Sequence, residues 1–255
     1  LSGWVIPAPE AVGGPRNTHA PWVVIVHGFG THRGDPAAGA LSFARDMHVQ
    51  GFGLLMFDMR GCGESGGGGG SVGYHERADL LGALNFLESQ GVSRSGIGVH
   101  GFSLGGTVAL TTCAASGVAG AVVADSAFAD LWDTIRANSK GFKRPTVWFH
   151  PGMDVLARWM FGINIEDVSP VRSVAGSRTP LLIIHGADDD MVPVEDARLI
   201  RDAAMSDDEG APVAVNAASG ARTVRGSLSP LSPGAARTVE TWIAPKPHTQ
   251  PPCNG

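Results

Sequence analysis

The sequence has three cysteines and one tyrosine among its 255 residues, and no apolar run long enough for a membrane-spanning helix. Three cysteines, Cys62, Cys113 and Cys253, give no disulfide framework. Cys113 stands in an apolar run and is expected to be a small buried hydrophobe. A spanning helix needs about 20 predominantly apolar residues, so none is expected. Lys and Arg number 19 against 24 Asp and Glu, giving a net charge of -5 without a basic stripe. That pattern argues against a nucleic-acid partner. No His, Cys, Asp or Glu cluster has metal-ligand spacing, so no metal or organic cofactor is expected. The shortage with most consequence is of histidine near the C-terminus: none lies between His185 and His248. Residue 1 is Leu, so the chain is expected to begin inside a longer gene product. A cytoplasmic location is the expectation, with an upstream signal or anchor left open.

What is present describes an ordinary globular protein. Apolar residues make up 43% and charged residues 17%, which excludes a disordered chain. The length suits one large α/β domain over 1–255. Short apolar runs at Trp22–Val26, Gly53–Phe57, Gly96–Val99, Ala119–Val123 and Leu181–Ile184 hardly alternate, as expected of strands buried on both faces of a parallel sheet. Leu1–Pro7 resembles the end of a further strand. Between the runs lie helical patterns. Leu80, Ala83, Leu84 and Leu87 share one face of Glu76–Ser89, with Gly91 as a stop. Leu41, Ala44 and Met47 do the same before Gly51. Val194, Ala197 and Ile200 follow Pro193, which suits a first helical turn. The alternation predicts a mostly parallel, doubly wound sheet.

Two segments depart from that rhythm. Residues 127–178 carry Trp132, Trp148, Phe149, Trp159, Met160 and Phe161 among short helical pieces. They are expected to form a lid inserted between the fifth and sixth strands, with the three tryptophans lining an apolar entrance. After about residue 205 the composition changes. Ala211–Gly255 holds seven of the 17 prolines, no Phe, Tyr or Met, and one acidic residue, Glu240. Residues 207–255 do not resemble the end of the same domain, and a poorly packed tail is expected.

The chemistry centres on Gly101-Phe102-Ser103-Leu104-Gly105, between an apolar run and a helical pattern. A serine nucleophile needs a sharp strand-to-helix turn that lifts its hydroxyl off the sheet's carboxyl edge, with glycines two before and two after. The helix that follows aims its positive end at the site. Acyl transfer also needs two N–H donors for the developing oxyanion. One is expected from Leu104 and one from Phe29, in His27-Gly28-Phe29-Gly30 after Val23–Val26. His27 itself is expected to be structural. A carboxylate at a strand end orients the catalytic imidazole, and Asp188, Asp189 and Asp190 after His185-Gly186 are three candidates.

These segments together resemble the bacterial α/β-hydrolases of the serine aminopeptidase and esterase-like group. The resemblance runs through Val23–Gly30, Phe52–Gly66, Gly96–Ala109, Ala124–Phe128 and Asp167–Ile200, over Leu1 to about Asp202. Asp58-Met59-Arg60-Gly61-Cys62-Gly63-Glu64-Ser65 matches that family's D-x-R-G-x-G-x-S loop. The resemblance implies a serine hydrolase of carboxylic esters, with Ser103 as nucleophile and a small ester or acyl compound as substrate. Amides, thioesters or peptides are the alternatives. It places the acid on Asp189 and gives Asp58 and Asp125 structural roles.

One element of the family pattern is missing. The base should follow the acid by roughly 30 residues, on a loop after the last strand. His248 lies 59 residues beyond Asp189 in the proline-rich tail. Three readings follow: His248 folds back as the base, the protein binds without turnover, or residues 207–236 are translated from the wrong frame. The Ala, Gly, Ser, Arg and Pro content of that stretch is what GC-rich DNA yields out of frame. Thr238–Ile243 then resembles the family's closing helix. The frame reading predicts a His codon opposite positions 215–222 in another frame of the parent DNA, and sequencing that region without finding one rejects it.

Overall fold

The computed structural model describes residues 1–9, 20–36, 39–114, 118–139, 150–206 and 212–218. Its strands are β1 (Gly3–Ile6), β2 (Trp22–Val26), β3 (Gly53–Phe57), β4 (Ile97–Phe102), β5 (Ala121–Asp125), β6 (Leu181–Gly186) and β7 (Val213–Ala218). They form one sheet in the order β1-β3-β2-β4-β5-β6-β7. β1 pairs antiparallel with β3, and every other pair is parallel. The helices are α1 (Ala40–Val49), α2 (Glu76–Ser89), α3 (Leu104–Ala109), α4 (Leu131–Ser139), α5 (His150–Phe161), α6 (Pro170–Val174) and α7 (Val194–Ala204).

The unalternating apolar runs are explained by two hydrophobic layers. Val23, Ile25, Leu54 and Met56 pack with Ala40 and Ala44 of α1. Val24, Val26, Leu55 and Phe57 face the other way and join Leu80, Leu84 and Leu87 of α2, the α3 segment, and Ala197 and Ile200 of α7. Every residue of β2 and β3 is buried. A strand covered on both faces has no position for a polar side chain, so the period-2 signal disappears. Cys113 belongs to the second layer, and burial pushes its thiol up to about 12.

β4 runs on through Phe102, three residues beyond the apolar run Gly96–Val99, and delivers the chain to Ser103. Pro193 stands one position outside α7, as its extended N-cap, and not in its first turn. The larger difference is β7. The segment 213–218 lies in the stretch expected to fall outside the domain, yet it pairs with β6 from Leu181↔Val213 to Gly186↔Ala218. Its alternation is of small residues, which carry little hydrophobic signal. The sheet edge offered by β6 supplies the backbone partners instead.

The insertion between β5 and β6 consists of α4, α5, a short 3-10 turn and α6. Ala127, Phe128, Ala129, Leu131, Val168 and Val174 are core residues, so part of this segment covers the sheet. Trp132 packs against the core with Arg136 over its ring. Trp159 is 82% exposed. Trp148, Phe149, Cys253, His248 and Thr238–Ile243 lie outside the described residues. No helix among the described residues is long and apolar enough to cross a membrane.

His100 is a polar residue on the α1 side of the sheet. Its ring stacks on Phe102 and meets Phe43 edge-on, with centroids 4.5 and 4.3 Å away, and its buried Nε2 has no partner. Burial lowers its pKa from 6.5 to about 3. The unfolded chain therefore takes up a proton below pH 6.5 that the folded chain refuses. This contribution to stability is complete above 6.5 and is lost as pH falls toward 3, at about 1.4 kcal/mol per pH unit. Asp125 acts in the opposite sense. Burial raises it to about 6, so its share is full below 3.8 and lost as pH rises through 6. Replacing His100 with Phe should leave stability at pH 7 equal or higher and flatten the acid decline. Urea unfolding of both proteins at pH 7 and pH 4.5 measures this, and parallel declines would refute it.

Candidate active site

Ser103 follows the last residue of β4 and caps α3, with φ 51° and ψ -116°. A left-handed φ costs a residue other than glycine about 1 kcal/mol or more, so the surroundings must hold it. The Ser103 N–H donates to the Asp125 carbonyl at 2.7 Å, and the Ser103 carbonyl accepts the N–H of Gly106 at 2.9 Å. The side chain is left exposed at the carboxyl edge.

The two glycines flanking Ser103 are there for space. A Cβ at Gly101 would lie 2.5 Å from the Gly106 nitrogen and closer still to the Gly105 carbonyl. One at Gly105 would lie 2.6 Å from the His27 carbonyl oxygen and within contact of that of Val26. α3 therefore starts directly against the end of β2. The β2 loop arrives beside Ser103, since a Cβ on Gly28 would stand 3.5 Å from the Ser103 Cβ. Leu104, in the first turn of α3, has one of the N–H groups that a helix leaves without an intrahelical partner. Phe29, next to Gly28, is 62% exposed.

Two buried groups hold the β2 loop. His27 Nε2 accepts the Met59 N–H at 2.9 Å, so Nδ1 carries the proton and donates to the Gly28 carbonyl at 2.8 Å. Burial lowers the His27 pKa and keeps the ring neutral. Arg33 pairs with Asp58 and Glu64, while its N–H donates to Asp58 Oδ1 at 2.7 Å. Asp58 Oδ2 also accepts the Glu64 N–H at 2.8 Å. The Asp58 loop thus serves as the floor on which the β2 loop rests. Its Arg60 is forked onto Asp79 of α2.

Asp189 lies beyond β6. Its Oδ1 accepts the N–H groups of Met191 at 2.9 Å and Val192 at 3.0 Å, while its N–H donates to the Gly186 carbonyl at 3.3 Å. Asp188 and Asp190 are exposed, and the Asp189 side chain is largely buried. The carboxylate's charge reaches Asp125, whose backbone carbonyl takes the Ser103 N–H. Ser103, Phe29, Leu104 and Asp189 therefore gather at one edge, on the turns after β2, β4 and β6. β7 ends level with Gly186, the last residue of β6. His248 lies outside the described residues.

Asp125 and Ser126 were not candidates from motif alone. Ser126 has φ 55°, donates its N–H to the Ile184 carbonyl at 2.8 Å, and donates Oγ–H to Asp125 Oδ1 at 3.0 Å. Positive φ in residues other than glycine occurs at Val72, Ser103 and Ser126 among the described residues, so two of the three follow strand ends here. A hydrophobic run ending in Asp-Ser is the available sequence signal, and it does not announce strain.

Comparison with known proteins identifies the fold. A family model described as the alpha/beta hydrolase fold matches residues 21–149, and the chain belongs to that family. An uncharacterised Bacillus subtilis protein, YqkD, is 30% identical over 178 residues, which cover 68% of this chain and 56% of that protein. The chain thus spans little more than half of this relative's length. A Pyrococcus furiosus esterase, Pf2001, superposes with a TM-score of 0.62 at 25% identity, over 86% of this chain and 77% of that one. A puromycin-hydrolyzing peptidase of Mycobacterium tuberculosis gives 0.63 at 21%, over 86% and 34% of the two chains.

Closing the space at Gly105 tests the geometry. Gly105→Ala should push the β2 loop from the Ser103 turn and lower stability by about 2 kcal/mol. Thermal unfolding measures the loss, and an unchanged midpoint would contradict the close approach.

Proposed function

We propose that the chain hydrolyses a carboxylic ester through an acyl-enzyme on Ser103, with amides and thioesters open to the same chemistry. The observation that carries this reading is the exposed, left-handed Ser103 at the sheet's carboxyl edge, with the β2 loop beside it. Ser103 Oγ attacks the carbonyl carbon while its proton passes to an imidazole. The oxyanion is held by the N–H groups of Phe29 and Leu104. The leaving group departs with that proton, and water then releases the acid by the reverse sequence. Asp189 orients the imidazole and balances its charge, using Oδ2 because Oδ1 is already bonded within its loop. The exposed Phe29 and Met191 offer apolar contact to a small ester or acyl substrate. Both an esterase and a peptidase share this fold, so the fold does not choose between ester and peptide bonds.

A second reading, ligand binding without turnover, rests on the histidines at this edge. Both ring nitrogens of His27 are committed to the backbone, and His185 Nε2 is 2.8 Å from the Val192 carbonyl. Neither ring is free to serve as the base.

Labelling with a fluorophosphonate and turnover of small aryl esters separate the two. Under the hydrolase reading, Ser103→Ala abolishes labelling and lowers turnover by roughly 10⁴-fold or more while the protein stays folded. Asp189→Asn lowers turnover on the order of 10⁴-fold, because the imidazole loses the partner that fixes its tautomer. His248→Ala silences the protein if that residue folds back. A purified chain that is folded, unlabelled and inert would reject turnover by the chain as it stands, and undiminished turnover in Ser103→Ala would reject Ser103.

A further inference from the structure

The His185 imidazole takes no part in the reaction above, yet it is fully buried at the end of β6. Its Nε2 lies 2.8 Å from the Val192 carbonyl. A carbonyl only accepts, so Nε2 carries a proton. The same nitrogen is 3.9 Å from Asp189 Oδ2, and Nδ1 is buried without a partner. Two further carboxylates on neighbouring elements lie within electrostatic reach of this ring. They are Asp125 at the end of β5 and Asp196 in the first turn of α7. Burial raises the pKa of both, and Asp196 Oδ2 also accepts the Ala129 N–H at 3.0 Å.

The bonds around Asp189 show what the ring does. Asp189 Oδ1 collects the N–H groups of Met191 and Val192, which curls the loop over the carboxylate. Those bonds are local to the loop, and the Asp189 N–H to the Gly186 carbonyl at 3.3 Å ties only its near side to the end of β6. The Nε2–H bond to the Val192 carbonyl fastens the far side of the curl to β6, seven residues back along the chain. Val192 is thereby held at both ends, its N–H by the acid and its carbonyl by His185. The loop is anchored before any substrate or base arrives.

We propose that His185 is a positioning residue whose Nε2–H bond to the Val192 carbonyl locks the Asp189 loop against β6, presenting the carboxylate toward the Ser103 turn. The catalytic meaning of this lock rests on Asp189 being the acid. The lock itself is a matter of loop geometry and is tested separately.

The test compares His185→Leu, which removes the donor, with His185→Gln, whose amide nitrogen can replace Nε2. Amide hydrogen exchange is followed at Met191, Val192 and core residues of β2 and β5. In His185→Leu, exchange at Met191 and Val192 should quicken by about tenfold, as expected for one lost buried bond, while core amides stay within about twofold. His185→Gln should restore most of the protection. Where His185→Leu does not fold, His185→Asn takes its place, its amide being too short to reach the Val192 carbonyl. Unchanged exchange at both amides overturns the proposal. So does uniform quickening across the core, which would mark a purely structural residue, and so does a Gln variant as fast as Leu. A parallel arm follows fluorophosphonate labelling in Asp189→Asn. Labelling of Ser103 that this change leaves untouched removes Asp189 as the acid without bearing on the lock.

Discussion

The contact between Gly105 and the carbonyls that end β2 is the constraint on which the site depends. It brings the first turn of α3 against the neighbouring strand, with no room for a side chain between them. Because α3 starts there, the chain must reverse within Ser103, whose φ is forced to the left-handed region. The β2 loop is brought to Ser103 by the same approach. Strain at Ser103 is offset by the bonds from its N–H to β5 and from α3 to its carbonyl.

Burial governs the ionisable groups around this edge. His27 and His100 are held neutral by loss of water, and Asp125 is pushed toward its protonated form. Arg33 and Asp58 are buried as a pair, with backbone N–H groups of Arg33 and Glu64 on the carboxylate and the Glu64 side chain on the guanidinium, whose Nε is left without a partner. A buried pair of this kind is a weak source of stability, and its value here lies in fixing one loop on another. The Asp189 loop is fixed differently, by its own carboxylate on one side and by His185 on the other.

Most of the sheet was legible because its strands are buried on both faces. The apolar runs coincide with β2 and β3 residue for residue and with the starts of β4 and β6 to within one. β7 was not legible. Val213–Ala218 contains three alanines and an asparagine, and its strand conformation is owed to hydrogen bonds with β6. The lid expectation captured the helical character of residues 127–178 but not that Phe128, Leu131 and Val174 belong to the core. An aromatic that lines an entrance and one that covers a sheet have the same local signature.

Local sterics are written in the chain, and so the sequence alone determined that Ser103 sits on a strand-to-helix turn between two obligatory glycines. It also determined the alternation of strands and helices, and that no histidine stands between His185 and His248. Tertiary structure decided what depends on distant pairing. It set Asp189 apart from Asp188 and Asp190 by curling one loop over one carboxylate. It made His27 a brace for the loop after β2, through an N–H 32 residues away. It drew residues 213–218 into the sheet, paired with β6 as far as Gly186. Each of these rests on hydrogen bonds between segments whose separation in sequence says nothing of their separation in space.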